Sequence, residues 1–283
     1  MYKILYIRHL FYSNPTPPIY LKNHHKMKAK RIISLFLLSC LSVPAILHAA
    51  DPTLIGRRGC GYAIENTAEA YNEGARRGYK MMEAHVRLTS DSVFVTSHDG
   101  KTDRLGGKMK IAGSTLADLK SERYTQQRDS AAYEGSTVCT VAEFLDICKK
   151  NNVAPLLHLK TLSKDTKQCS FLTPLMITVA EKGLTDKCVI LTSEPDYIEY
   201  LMTNHPDIKL QFQADAKWQE MFDWSCARKL DVQIRQDLVD ADCVKRYHDA
   251  GVKVNVWTVN TPDDYRRLAD MGVDYMVTDY IQP

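Results

Sequence analysis

No two of the cysteines stand as a CxxC pair, so zinc-ribbon spacing is excluded. No low-complexity tract and no block of like charge interrupts the 283 residues, which argues against a disordered arm and against a nucleic-acid-binding tail. No apolar run reaches the length of a transmembrane helix; the longest, Ile32 to Ile46, is broken by Pro44. Acidic residues are missing altogether from the first fifty positions, which carry seven of the 37 Lys and Arg. That local absence distorts the overall charge. From Asp51 onward, 30 basic residues face 34 acidic ones, a net of −4, and the formal +3 of the whole chain belongs to its leader.

The leader has a recognisable plan. Met27-Lys28-Ala29-Lys30-Arg31 is a cationic start, the apolar stretch follows, and Leu47-His48-Ala49-Ala50 offers small residues for cleavage before Asp51. Residues 1–50 are therefore expected to be upstream residues plus a cleavable signal peptide beginning at Met27. The protein is expected in an exported location, periplasmic or secreted, without a stable transmembrane anchor. Leu37-Leu38-Ser39-Cys40 loosely resembles a lipoprotein box, but the apolar run continues past Cys40 and favours plain secretion. Seven cysteines remain beyond residue 50, an odd number. An oxidising compartment would leave at least one thiol free or shared between chains, and the pairing stays open, as does the oligomeric state.

From Asp51 strand-like and helix-like segments alternate. The apolar runs are Thr53–Ile55, Met81–Leu88, Val93–Thr96, Val153–Leu159, Cys188–Thr192, Lys209–Phe212, Val232–Ile234, Lys253–Val259 and Tyr275–Thr278. Between them lie amphipathic stretches such as Asn66–Arg77, Val141–Lys150, Phe171–Lys182, Asp242–Ala250 and Pro262–Met271. This order implies a parallel sheet with crossover helices. Over residues 51–283 it has the size of one (β/α)8 TIM barrel domain. Nine strands is one too many. Only four residues separate the second from the third, too few for a parallel crossover. Those two should pair locally, or another of the nine lies outside the barrel. Residues 99–138 have the weakest periodicity and read as a long insertion over one end.

Five histidines follow the leader. His205 and His248 look like helix-end or surface residues. The other three fall on or beside early strands. Strand side chains alternate faces, so Glu83 and His85 point the same way, as do His158 and Lys160. Paired polar groups on apolar strands are costly unless satisfied. Two such strands, with His98 just after a third, outweigh a local ion pair or a hydrogen-bonded core histidine as the explanation and point to a site.

Arg58-Gly59, Glu65-Asn66-Thr67, Glu83 with its i+2 partner, His98-Asp99, Lys160 and the closing block VKVNVWTVN…GVDYMVTDY together resemble the glycerophosphodiester phosphodiesterase family of phospholipase C-like TIM barrels, over nearly all of residues 51–283. The resemblance implies a divalent metal, often calcium or magnesium, held by three carboxylates. It implies two histidines as acid and base, an arginine and a lysine on the phosphate, and a tryptophan along the substrate channel. The sequence departs at three positions. Arg57 stands at the first histidine, His85 at the second carboxylate, and His158 at the third.

Each departure has a chemical consequence. Arginine, with a pKa above about 12, accepts no proton near neutrality. His98 is thus left as the sole acid/base, with Arg58 and Lys160 as the expected phosphate clamp and Arg57, Glu65 and Trp257 as further substrate contacts. Glu65 has a second reading as a cap or dipole partner of the helix it is expected to begin, and Trp257 one as barrel core. Calcium and magnesium take oxygen ligands. Glu83, His85 and His158 suit zinc, manganese or iron better. Three fixed cations (Arg57, Arg58 and Lys160) against one carboxylate could also hold a phosphate with no metal. Three readings stay open: a phosphodiesterase acting on a small-molecule phosphodiester with a nitrogen-rich metal site, a metal-independent weak hydrolase or phosphate-ligand binder, and a barrel kept for a structural or partner-binding role.

Overall fold

The computed structural model describes residues 51–125, 133–163 and 167–283. Residues 1–50, where the leader is expected and Cys40 lies, part of the insertion, and residues 164–166 lie outside the described residues.

Eight strands close into a parallel barrel: β1 (Thr53–Gly56), β2 (Met81–Leu88), β5 (Ala154–Leu159), β6 (Val189–Thr192), β7 (Lys209–Gln213), β8 (Asp231–Arg235), β9 (Val254–Trp257) and β10 (Tyr275–Thr278). Each pairs with the next, and β1 pairs with both β10 and β2 to shut the ring. The surplus strand resolves as a local pair. β3 (Phe94–Thr96) runs antiparallel to the end of β2, with Val86 opposite Thr96. A two-residue strand, β4 (Cys139–Thr140), adds to its outer side and is too short for any periodicity to disclose.

Most crossovers are helical: α1 (Ala68–Arg76), α3 (Val141–Asn151), α4 (Thr173–Glu181), α5 (Pro195–Asn204), α6 (Phe222–Ala227), α7 (Ala241–Asp249) and α8 (Pro262–Asp270), with α2 (Leu116–Ser121) inside the insertion. Local chemistry sets their starts. Asn66 was expected inside the first helix, but it takes a left-handed φ of 55°, and the Thr67 side chain accepts the Ala70 N–H as the cap. Thr140 opens α3 with a reciprocal capping box to Glu143.

Period-two alternation divides the strand residues between two environments. Met82, Ala84, Val86, Leu157, Leu159 and Ile190 face outward against the helices, and Phe212, Val232, Val254 and Val256 do the same on the opposite side. The inward set is mixed. Ile55, Met81, Leu156, Val189, Leu191 and Val277 fill one side with hydrocarbon. On β7, β8 and β9 the buried inward residues are Gln211, Gln233 and Asn255, with Asn255 donating to the Gln211 side-chain oxygen at 3.0 Å. The insertion has a small core of its own, with Val95, Leu105, Ile111, Leu119 and Tyr124 around Ile64.

Candidate active site

The polar side chains gather at the carboxyl ends of the strands, where a barrel of this class can present groups from several strands at once. Register does the first part of the work. Parallel pairing sets His85 of β2 beside His158 of β5. Their rings lie 4.7 Å apart, centroid to centroid, and the His98 ring lies 4.7 Å from His85 on its other side. The antiparallel arm delivers His98: Ser97 N–H donates to the His85 carbonyl at 2.8 Å, and Arg87 donates to the His98 carbonyl at 2.7 Å. The His85 ring thus touches both other imidazoles, and Glu83 reaches His85 and His158.

Glu83 Oε1 is 3.2 Å from His158 Nδ1 and 3.8 Å from His85 Nε2. The ligand atoms that these three buried residues offer all lie within 4.8 Å of one another. Glu83 Oε2 and His85 Nδ1 are buried without a hydrogen-bond partner, as are Arg58 Nε and Gln233 Nε2. Orphaned buried polar atoms are costly, and a cluster of them marks a place for something the protein binds. The donor set of one carboxylate and two imidazoles fits a borderline transition ion and does not fit the all-oxygen shell of calcium or magnesium.

His158 Nε2 faces Gln213 Oε1 at 3.0 Å and Lys160 Nζ at 3.4 Å. Arg57, His98, Lys160, Gln213, Gln233, Trp257 and Val277 complete the lining around the triad. The cavity itself measures about 20 Å³, room for one water or one ion and little more.

The two adjacent arginines take different places. Arg57 lines the cavity, 3.4 Å from Asp279. Arg58, expected as the direct clamp, is 8% exposed and lies outside the lining; it donates to Glu65 at 2.6 Å. Trp257 is on the wall, its indole N–H given to Asp215 at 2.9 Å. Glu65 sits ahead of the α1 cap, not in the helix, between Arg58 and Arg104. His205 and His248 lie at the carboxyl ends of α5 and α7, away from the lining residues.

The electrostatics favour an ionised Glu83 with neutral rings at His85 and His98. Burial pushes the Glu83 carboxyl up, but the His158 hydrogen bond and the charges of His158, Arg57 and Arg58 outweigh it and hold it at about 2. Burial, reinforced by His158 and Lys160, lowers His85 well below the usual imidazole range. Burial and then the Arg58 charge bring His98 down to about 4 against the opposing hydrogen bond to Asp99. Burial lowers Lys160 to about 8, with Glu83 opposing.

Residues 57–282 match the family model described as the glycerophosphoryl diester phosphodiesterase family. The chain belongs to that family. A glycerophosphodiester phosphodiesterase of Bacillus subtilis (strain 168) is 24% identical, over 90% of this chain and 96% of that protein. Glycerophosphodiester phosphodiesterase 1 of Mus musculus is also 24% identical, over 74% of this chain and 71% of its own length. A family structure from Silicibacter pomeroyi superposes with a TM-score of 0.73 at 22% identity, over 81% of this chain and 90% of that one. An Oleispira antarctica phosphodiesterase, solved with its product sn-glycerol-3-phosphate, superposes at 0.72 and 23% identity, over 81% of this chain and 93% of its own. At these identities the superpositions establish the barrel, and the family model carries the membership.

Sequence reasoning overlooked Gln213, Gln233 and Arg104. The first two had a signal: polar residues at every second position in Lys209-Leu210-Gln211-Phe212-Gln213 and Asp231-Val232-Gln233-Ile234-Arg235 follow the rule that exposed Glu83 and His85. Arg104 had none, because it lies in the aperiodic insertion.

Proposed function

We propose that this family member hydrolyses small glycerophosphodiesters, releasing an alcohol and a glycerol phosphate of the kind seen in the Oleispira antarctica enzyme. The observation that carries the reading is the convergence of Arg57, Lys160 and His98 on one small cavity at the barrel mouth. A phosphodiester seated over it meets two cations at its non-bridging oxygens, with Arg58 adding positive charge from behind Glu65. Charge stabilisation of this kind is the larger part of phosphoryl-transfer catalysis. Water's oxygen forms the new P–O bond as the alcohol's P–O bond breaks. His98, neutral, takes the proton from the attacking oxygen and returns it to the departing alkoxide. With Arg57 at the place of a second histidine, one ring performs both transfers, so turnover is expected to be slow.

Glu83, His85 and His158 are the residues that would hold a divalent ion, zinc, manganese or iron by donor type. Such an ion would add Lewis-acid charge at the phosphate. One observation favours a second, metal-independent reading. Glu83 already has His158 Nδ1 within hydrogen-bonding distance, and that bond together with the arginine charges offsets its burial. The deciding assay follows turnover of glycerophosphocholine and an aryl phosphodiester with chelator, zinc, manganese, calcium and magnesium in parallel. Zinc- or manganese-restored turnover supports the metal site, and chelator-resistant turnover supports the second reading. Absence of turnover in every arm refutes hydrolysis. Export is part of the same proposal, supported by the cationic, apolar and small-residue order of residues 27–50. Recovery of the intact leader on cytoplasmic protein would refute it.

A further inference from the structure

Arg104 of the insertion makes three side-chain hydrogen bonds to two carboxylates. Its Nε donates to Asp99 Oδ2 at 2.7 Å, and its two terminal nitrogens donate to Glu65 Oε2 and Oε1 at 2.9 and 2.6 Å. Asp99 Oδ1 in turn lies 2.7 Å from His98 Nδ1. Glu65 also accepts from Arg58 at 2.6 Å. One guanidinium therefore spans two carboxylates, one touching the histidine of the site and the other touching the buried arginine.

Geometry says what the span does. A neutral imidazole carries one N–H, and a carboxylate can only accept. Asp99 therefore fixes the proton of His98 on Nδ1 and leaves the Nε2 lone pair free. Asp99 has 39% of its side chain exposed, so what fixes its own carboxylate bears on the orientation of His98. An isolated surface pair with Arg104 would add little. The Arg104 fork, however, is anchored on a buried carboxylate by a bidentate pair, the stronger and more directional kind. Its backbone is anchored too. Arg104 stands in a single 3-10 turn, Asp103–Leu105, whose Leu105 is buried in the insertion core.

We infer that Arg104 is a positioning residue, which acts through Asp99 to hold His98 in the Nδ1–H tautomer and so ties the fold of the insertion to proton transfer at the barrel mouth. The catalytic part of this inference rests on the reading of His98 as the proton-transfer group; the tautomer part does not.

The test separates the two. Long-range ¹H–¹⁵N NMR of ¹⁵N-histidine-labelled protein, with the His98 signals assigned by their loss in His98→Gln, should show the Nδ1–H tautomer alone. In Arg104→Ala the same ring should show a mixture of tautomers, with the melting temperature held. If Arg104→Ala does not fold, Arg104→Lys serves, since one ammonium cannot reproduce the three-bond fork. An unchanged tautomer overturns the inference whether or not the protein turns over substrate. In wild type active on diesters, Arg104→Ala should lower kcat by about 10- to 100-fold with KM little changed, the scale of a misplaced catalytic group. Added to Asp99→Asn, it should cost nothing further; additive losses would overturn the route through Asp99. A wild type that turns over no diester, yet shows the tautomer change, refutes the hydrolase reading and leaves the positioning role standing.

Discussion

At the scale of single residues, Arg57, read as a fixed charge at the place of a family histidine, leads to a direct prediction. Arg57 lines the cavity where a proton-transferring group would be expected, and it also helps hold Glu83 ionised. Arg57→His should therefore raise kcat by about 100-fold if only acid/base assistance is lacking, the low side of what such groups contribute. Steady-state kinetics across pH 6 to 9 would check this, and an unchanged or lower kcat would mean that the phosphate needs the charge more than the proton shuttle. Glu65 yields a prediction about stability. Burial raises its pKa, but the hydrogen bond from Arg104 and the charges of Arg58 and Arg104 win, and it ends below its ordinary 4.5. A depressed carboxyl stabilises the fold above its unfolded pKa and loses that contribution as pH falls through the folded value. Chemical denaturation should show wild-type stability dropping below about pH 4.5, with a shallower drop in Glu65→Gln. Parallel slopes for the two proteins would contradict the sign. Sequence reading paired Glu65 with Arg58 as one of two options, while Arg104 escaped it because its partners are brought together only by tertiary folding.

At the scale of elements, alternation carried most of the legible information. The inward pairs Glu83/His85 and His158/Lys160 were visible because each breaks an apolar strand at every second residue. The short gap at residues 89–92 made a local pairing of β2 with β3 one of two open possibilities, and it is what forms. Boundaries were less legible where a cap decides them, as at Thr67, since a left-handed Asn66 has no periodic signature. The division of the barrel interior into hydrocarbon and amide was not foreseen, because it depends on which strands close the ring. It has an energetic consequence. Leu156 is wholly buried among Ile55, Met81 and Leu191 on the hydrocarbon side. Leu156→Ala should cost about 2–5 kcal/mol, since the strands cannot collapse inward to fill the void. Urea denaturation would measure it, and a loss under about 1 kcal/mol would mean that the barrel repacks.

At the scale of the whole molecule, a bound ion would couple the site to global stability. A ligand that binds only the folded protein stabilises it by about 2.7 kcal/mol at a hundredfold excess over its Kd. Zinc should raise the melting temperature of wild type and fail to do so in Glu83→Ala at the same concentration. Equal shifts in the two proteins would place the ion elsewhere. This measurement needs no substrate, so it separates metal binding from turnover. Among the described residues no helix is long and apolar enough to cross a membrane. The cavity at the barrel mouth has a consequence of another kind. A recess of about 20 Å³ has room for a single ion or water at its floor. On the proposed reading the phosphate rests on its rim, and both of its organic arms stay outside the wall. Such an enzyme would grip first the one feature all phosphodiesters share. Selectivity among alcohols would then be set by the surface beyond the rim, apart from the recess that holds the phosphate.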